Sequence, residues 1–102
     1  MAQYDLYKLP REFAPFPYGL ELQTDFLAGL PSRVMIPLLA VDRSSPPIPR
    51  LNPVVHIDGK AYVALVELLE SVPAQALKKK IDHLGNQRSE FVAAFDFLIS
   101  GY

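Results

Sequence analysis

The chain has no cysteine, which removes disulfides and thiolate metal sites at once. Histidine is almost as scarce: His56 and His83 are the only two side chains whose ordinary pKa lies near neutrality. They stand far apart, with no carboxylate at ligand spacing, and make a poor zinc site. The five glycines are scattered singly, so no glycine-rich loop is available to cradle phosphate. No G-x-S-x-G segment accompanies the serines, and nothing else points to a nucleophile with its base. Long apolar runs are missing too. No stretch approaches the roughly 18 residues of a membrane span, and the N-terminus lacks the basic-then-apolar pattern of a secretion signal. A cytoplasmic chain away from membranes is expected. Nor is there an excess of one charge: ten basic residues face eleven acidic ones, for a net charge of -1. That balance leaves no electrostatic footprint for direct nucleic-acid binding or for an anionic membrane. Lys78-Lys79-Lys80 is the one basic run, and it reads as a solvated edge rather than a phosphate contact. No cofactor, metal or catalysis is argued for.

Apolar residues are plentiful, at 50% of the 102 residues. A chain of this length makes one domain, residues 1–102, burying roughly 65% of its unfolded surface. So small an interior cannot absorb all the apolar side chains, which places some of them in an oligomer contact. The excess is concentrated at the C-terminus. From Phe91 to Ile99 only Asp96 is polar. On a helix, Phe91, Ala94, Phe95 and Leu98 share one face, suited to burial against a sheet. Val92, Asp96 and Ser100 lie on the other side, with Ala93 and Phe97 beside them and Ile99 at the boundary. That second face is too apolar for a solvated surface, so a partner is expected to cover it. The sequence ends on Gly101-Tyr102, an ending suited to contact rather than chemistry.

The remainder reads as strand-rich. Tyr4-Asp5-Leu6-Tyr7 alternates as a first strand, with Tyr4 and Leu6 on one face. Prolines 10, 15 and 17 deny the next segment, Leu9 to Pro17, any helix or central-strand role. It is expected to be a packed, stiff connection rather than a docking surface. Tyr18 to Thr24 has strand period, with Tyr18, Leu20, Leu22 and Thr24 inward. Arg33 to Val41 is an apolar strand in which Pro37 requires an edge or a bulge. Pro53 to Ile57 and Lys60 to Leu65 flank Asp58-Gly59, whose residues suit a two-residue hairpin turn. Within the first of these, His56 is expected to be a hydrogen-bonded core histidine, and His83 to be exposed. Glu67 to Pro73 is expected to turn away, and Ala74 to Leu84 is ambiguous between helix and strand. Asn86 is placed to cap the closing helix. The expected architecture is mainly β, a barrel-like sheet closed by one C-terminal α-helix.

Taken in order, Pro53-Val54-Val55-His56-Ile57, Ser71-Val72-Pro73 and the closing helix resemble the CcdB family, the toxins of a bacterial toxin–antitoxin system. Leu22-Gln23-Thr24-Asp25 is similar to that family's segment of small aliphatic, Gln, Ser and Asp after the second strand. Arg33-Val34-Met35-Ile36-Pro37-Leu38 is similar to its third-strand segment, proline included. The match is collinear over nearly the whole chain, and Pro-Val-Val-His-Ile is its most specific piece.

The resemblance implies an SH3-like, partly open β-barrel, the fold shared by CcdB, Kid and MazF toxins, assembled as a homodimer. It implies binding to the A subunit of DNA gyrase, trapping of the cleaved-DNA complex as a topoisomerase poison, and no enzymatic activity. It also implies neutralisation by a cognate CcdA-like antitoxin that joins the toxin in repressing the operon, as in plasmid maintenance. Carried over residue by residue, the gyrase-binding set is Phe26, Leu27, Asp96, Ile99, Ser100, Gly101 and Tyr102. Phe26 and Leu27 occupy the family's supporting aliphatic pair, Asp96 replaces an asparagine, Ile99 an aromatic and Tyr102 an isoleucine. Ser100 departs furthest, standing where the best-known member has tryptophan. Losing such an anchor costs on the order of 2–4 kcal/mol, roughly 30- to 1,000-fold in affinity. Gly101 also has a plain reading as the helix terminator, and Phe97 and Ile99 one as dimer packing. Two rival functions stand beside the first. One is a MazF- or Kid-type endoribonuclease, for which Arg33, Asp25 and His56 would have to act together although no spacing supports them. The other is a non-toxic CcdB relative that retains only antitoxin binding.

Overall fold

A computed structural model describes residues 2–101; Tyr102 lies outside them. Its strands are β1 (Asp5–Lys8), β2 (Tyr18–Glu21), β3 (Ser32–Ala40), β4 (Val54–Ile57), β5 (Lys60–Ala64), β6 (Glu70–Pro73) and β7 (Lys79–His83), and α1 (Arg88–Ser100) follows. They form one antiparallel sheet in the order β4-β5-β3-β2-β1-β7, with β6 added to β3. The sheet curls into a partly open barrel of the SH3 type, closed by the helix.

Alternation along the inner strands feeds two apolar clusters. Leu6, Leu20, Ile36, Leu38, Val55, Ala64 and Val66 meet Phe91 and Ala94 of α1 in the larger one. Tyr7, Met35 and Val72, which point the other way, meet Leu9 and Leu77 in the second. Both faces of the central strands are therefore buried, which explains why β1 and β2 conceal Asp5 and Glu21 as well as their apolar residues. Phe13 and Phe16 pack on the second cluster, so the proline-rich connection is packed, as expected. The Asp58-Gly59 turn is also as expected: φ is 51° and 78° at its two residues, the positive pair that a primed hairpin turn requires.

Pro37 is neither at an edge nor in a bulge. β3 is the most heavily paired strand, with β2 along one side and β6 then β5 along the other. Pro37 lies between Met35, the last residue paired to β6, and Leu38, the first paired to β5. Its carbonyl accepts from Leu65 N–H on that same side, so the missing N–H falls at the seam between two partners. A central proline costs no ladder bond there.

Two further expectations are corrected, and one segment left open between helix and strand is resolved. The Glu67–Pro73 segment contains β6 rather than only a turn, since Val72 is buried in the second cluster. Ala74 to Leu84 resolves to a 3₁₀ turn and β7, because β1 offers its free edge to Lys79–His83. Asn86 does not cap α1; it lies in a 3₁₀ turn, and the N-cap Gln87 spends its side-chain amide on Val54 carbonyl, 3.1 Å away.

Asp5 ties the outer strands together. Its buried carboxylate accepts from Ala2 N–H (2.8 Å) and meets His83 Nδ1 (2.9 Å) and Lys80 Nζ (3.3 Å). Burial alone would push the carboxyl up, but the bonds from His83, Ala2 and Lys80 outweigh it and hold the pKa below 3.8. The native state thus keeps Asp5 ionised where the unfolded chain would take up a proton. This stabilisation is present above the ordinary carboxylate value and is lost as pH falls through the lowered one. Asp5→Asn is therefore expected to flatten the acid limb of stability. Urea midpoints measured from about pH 7 to pH 3 should fall more steeply for the natural chain, and parallel curves would refute the assignment.

Candidate functional site: an apolar face between the β2–β3 loop and the helix

Between β2 and β3 the chain makes a 3₁₀ turn at Asp25–Leu27. Thr24 begins it, with Leu27 N–H donating to Thr24 carbonyl at 3.0 Å and Ala28 N–H to Asp25 carbonyl at 3.1 Å. Asp25 in turn accepts from Gln3 N–H at 2.7 Å, which fixes the turn to the start of the chain. Phe26 projects from this turn with 97% of its surface exposed, and Leu27 and Leu30 are each 47% exposed. Phe26, Leu27 and Leu30 together leave apolar surface on a well-bonded turn, whose burial would be strongly favoured.

The helix meets the turn from the other side. Val92 and Phe95 share a groove of about 400 Å³ with Leu27, Leu22 and Val34. Ile99, one turn beyond Phe95 and 67% exposed, continues that stripe. Of the sequence-expected inward face, Phe91 and Ala94 are buried, Phe95 is half-buried and Leu98 is 37% exposed. The core therefore takes only the first half of α1, and its second half is free to make contacts. Gly101 ends the helix in the left-handed conformation (φ 77°), its N–H donating to Phe97 carbonyl at 2.9 Å. Any L side chain there would be strained, so the terminator role of Gly101 is real.

Of the residues expected from the resemblance to bind gyrase, the fold brings Leu27 beside the helix stripe that leads to Ile99. Asp96 and Ser100 are exposed on the same half of α1. Sequence reading missed Val92 and Phe95 as groove walls; their spacing to Ile99 carried the signal, but the loop opposite them could not be placed. It also missed Arg50, whose guanidinium lies 4.4 Å from the centre of the Phe97 ring, a contact worth about 0.5–1 kcal/mol at an exposed site. Arg50 sits at φ 72° in a loop, and no local pattern announces that.

The ribonuclease candidates do not assemble. Arg33 is 5% exposed and spends its guanidinium on Glu21 and on carbonyls of the β2–β3 loop. Asp25 is committed to Gln3 N–H. His56, expected in the core, faces solvent from β4 opposite Ala61, because Val55 takes the inward position beside it. His83 is half exposed as expected, yet it is bonded to Asp5. Among the described residues no three potential metal ligands cluster, and no helix is long and apolar enough to cross a membrane.

A curled antiparallel sheet of the SH3 type with a C-terminal helix, bearing an exposed apolar face, is the architecture that the resemblance implies. The chain belongs to the CcdB family: the family model described as CcdB protein matches residues 3–101. Membership makes it a toxin of the toxin–antitoxin class. Among curated proteins no significant match is found.

Proposed function

We propose that this toxin binds the A subunit of DNA gyrase and traps the enzyme with its DNA cleaved, without catalysing a reaction itself. The contact face comprises Phe26 and Leu27 on the loop with Asp96, Ile99, Ser100, Gly101 and Tyr102 at the helix end. The observation that carries this reading is the apolar surface running from Leu27 across Val92 and Phe95 toward Ile99. A poison of this kind needs shape and apolar anchoring, and the half of α1 left outside the core offers both. A homodimer would double the face across a twofold axis and match a twofold target. A cognate CcdA-like antitoxin would neutralise the toxin and join it in repressing their operon.

The test is a cleavage assay with purified chain, gyrase and plasmid DNA, read as linear DNA after protease treatment. Linear product is expected from the intact chain and not from a variant lacking Ser100-Gly101-Tyr102, whose fold should be unchanged because Ser100 and Gly101 are exposed. Equal product from both would remove the helix end from the site. No product from either, with the chain folded and dimeric, would reduce the function to antitoxin binding.

A further inference from the structure

Two buried polar side chains hold the loop between β2 and β3 from beneath. Arg33, at the start of β3, and Gln23, just after β2, are 5% and 8% exposed. Arg33 donates through one terminal nitrogen to the carbonyls of Leu30 (2.8 Å) and Ser32 (3.2 Å), and through the other to that of Ala28. Gln23 donates to the carbonyls of Leu27 (2.9 Å) and Ser32 (3.4 Å) while accepting from Val34 N–H at 3.1 Å. Three loop carbonyls and that of Ser32, the first residue of β3, are thus drawn inward.

The ion pair does not explain why arginine is there. Arg33 Nε stands 3.6 Å from Glu21 Oε2, beyond hydrogen-bonding distance, and both Arg33 Nε and Glu21 Oε1 lack a partner. A buried pair of such geometry is readily bettered by apolar packing. The well-made bonds all go to the loop. Their effect is on side-chain direction: with its carbonyls turned inward, the loop presents Phe26, Leu27 and Leu30 outward. Without these bonds, Phe26 could fold down toward the apolar groove of Leu22, Val34, Val92 and Phe95 and hide the contact face.

We infer that Arg33 and Gln23 are positioning residues that pre-organise this loop for docking, keeping Phe26 and Leu27 presented before any partner arrives. The inference rests on the proposed gyrase contact for what docks, and on the loop alone for what is held. Pre-organisation removes an ordering cost from binding. The two residues therefore act on affinity without touching the partner.

Arg33→Lys and Gln23→Glu separate this role from mere stability. Lysine keeps the charge beside Glu21 but cannot fork to three carbonyls. Glutamate keeps the acceptor for Val34 N–H but loses the donor to Leu27 and Ser32. Amide hydrogen exchange should show the loop N–H groups of Leu27, Ala28 and Leu30 exchanging about tenfold faster in either variant, the upper end of the scale for one lost hydrogen bond. The sheet amides of Leu20 and Ile36 should keep their rates. Affinity for the gyrase A subunit should fall in step with the loop rates. Unchanged loop rates would overturn the inference, as would loop and sheet rates rising together. So would faster loop exchange with undiminished binding, provided that Phe26→Ala weakens that binding. If Phe26→Ala leaves binding intact, the gyrase contact at this loop fails, and the exchange rates still decide whether Arg33 and Gln23 hold it.

Discussion

Phe91→Ala is expected to destabilise the protein by about 3–5 kcal/mol, the range for removing a fully buried aromatic side chain. Phe91 has no exposed surface, and its ring stacks on Tyr4 with centroids 6.0 Å apart and planes 17° from parallel. It is one of only two α1 residues that are fully buried, the other being Ala94. The helix has 13 residues, marginal in isolation, so its stability comes from docking. Removing the main docking side chain leaves a cavity beneath Tyr4 and Leu84 that the stiff sheet cannot close. Urea denaturation at a fixed protomer concentration measures the effect. A loss below about 1 kcal/mol, no more than an average point substitution costs, would mean that α1 is not anchored through this ring.

Phe91 was also legible without a structure. A 3.6-residue apolar period, an Asp-Gly turn between two alternating runs and a proline-rich connection are local signals, and each produced the element expected. What failed or stayed open depended on partners remote in sequence. Pro37 looked like an edge residue because its neighbours do not reveal that β6 and β5 meet there. Ala74 to Leu84 has helix-forming residues, yet β1 had an unpaired edge to complete, and pairing outweighed propensity. His56 looked buried inside an apolar run, but strand period puts it opposite Val55, and only Val55 faces the core. The site divides in the same way. Phe26, Leu27 and Ile99 came from the family resemblance, and their exposure is a property of the fold. Gln23 and Arg33 beneath the loop gave no periodic signal, because each is buried for bonds made to backbone several residues away.

Phe26→Ala is expected to weaken binding to the gyrase A subunit roughly 30- to 1,000-fold, corresponding to about 2–4 kcal/mol, while leaving the fold untouched. With 97% of its surface exposed, the ring contributes almost nothing to packing in the free chain, so the stability change should stay within about 0.5 kcal/mol. The size of the binding loss follows from where rigid anchors are found on the proposed contact face. Ser100 stands at the position of a family tryptophan and offers no apolar area, whereas an aromatic residue occupies position 26, where the family has an aliphatic one. Phe95 on the same face is half-buried, so Phe26 is the fully exposed large flat side chain on its described part, and Thr24, Gln23 and Arg33 hold its loop. Aromatic side chains carried on rigid backbone make hot spots because little entropy remains to be lost on docking. The reciprocal variant gives the second half of the test. Ser100→Trp should raise affinity in the natural chain and recover part of the loss in Phe26→Ala. Binding measured for the four chains forms a double-mutant cycle. If Phe26→Ala costs less than threefold, the anchor lies elsewhere and position 26 does not compensate for the missing tryptophan.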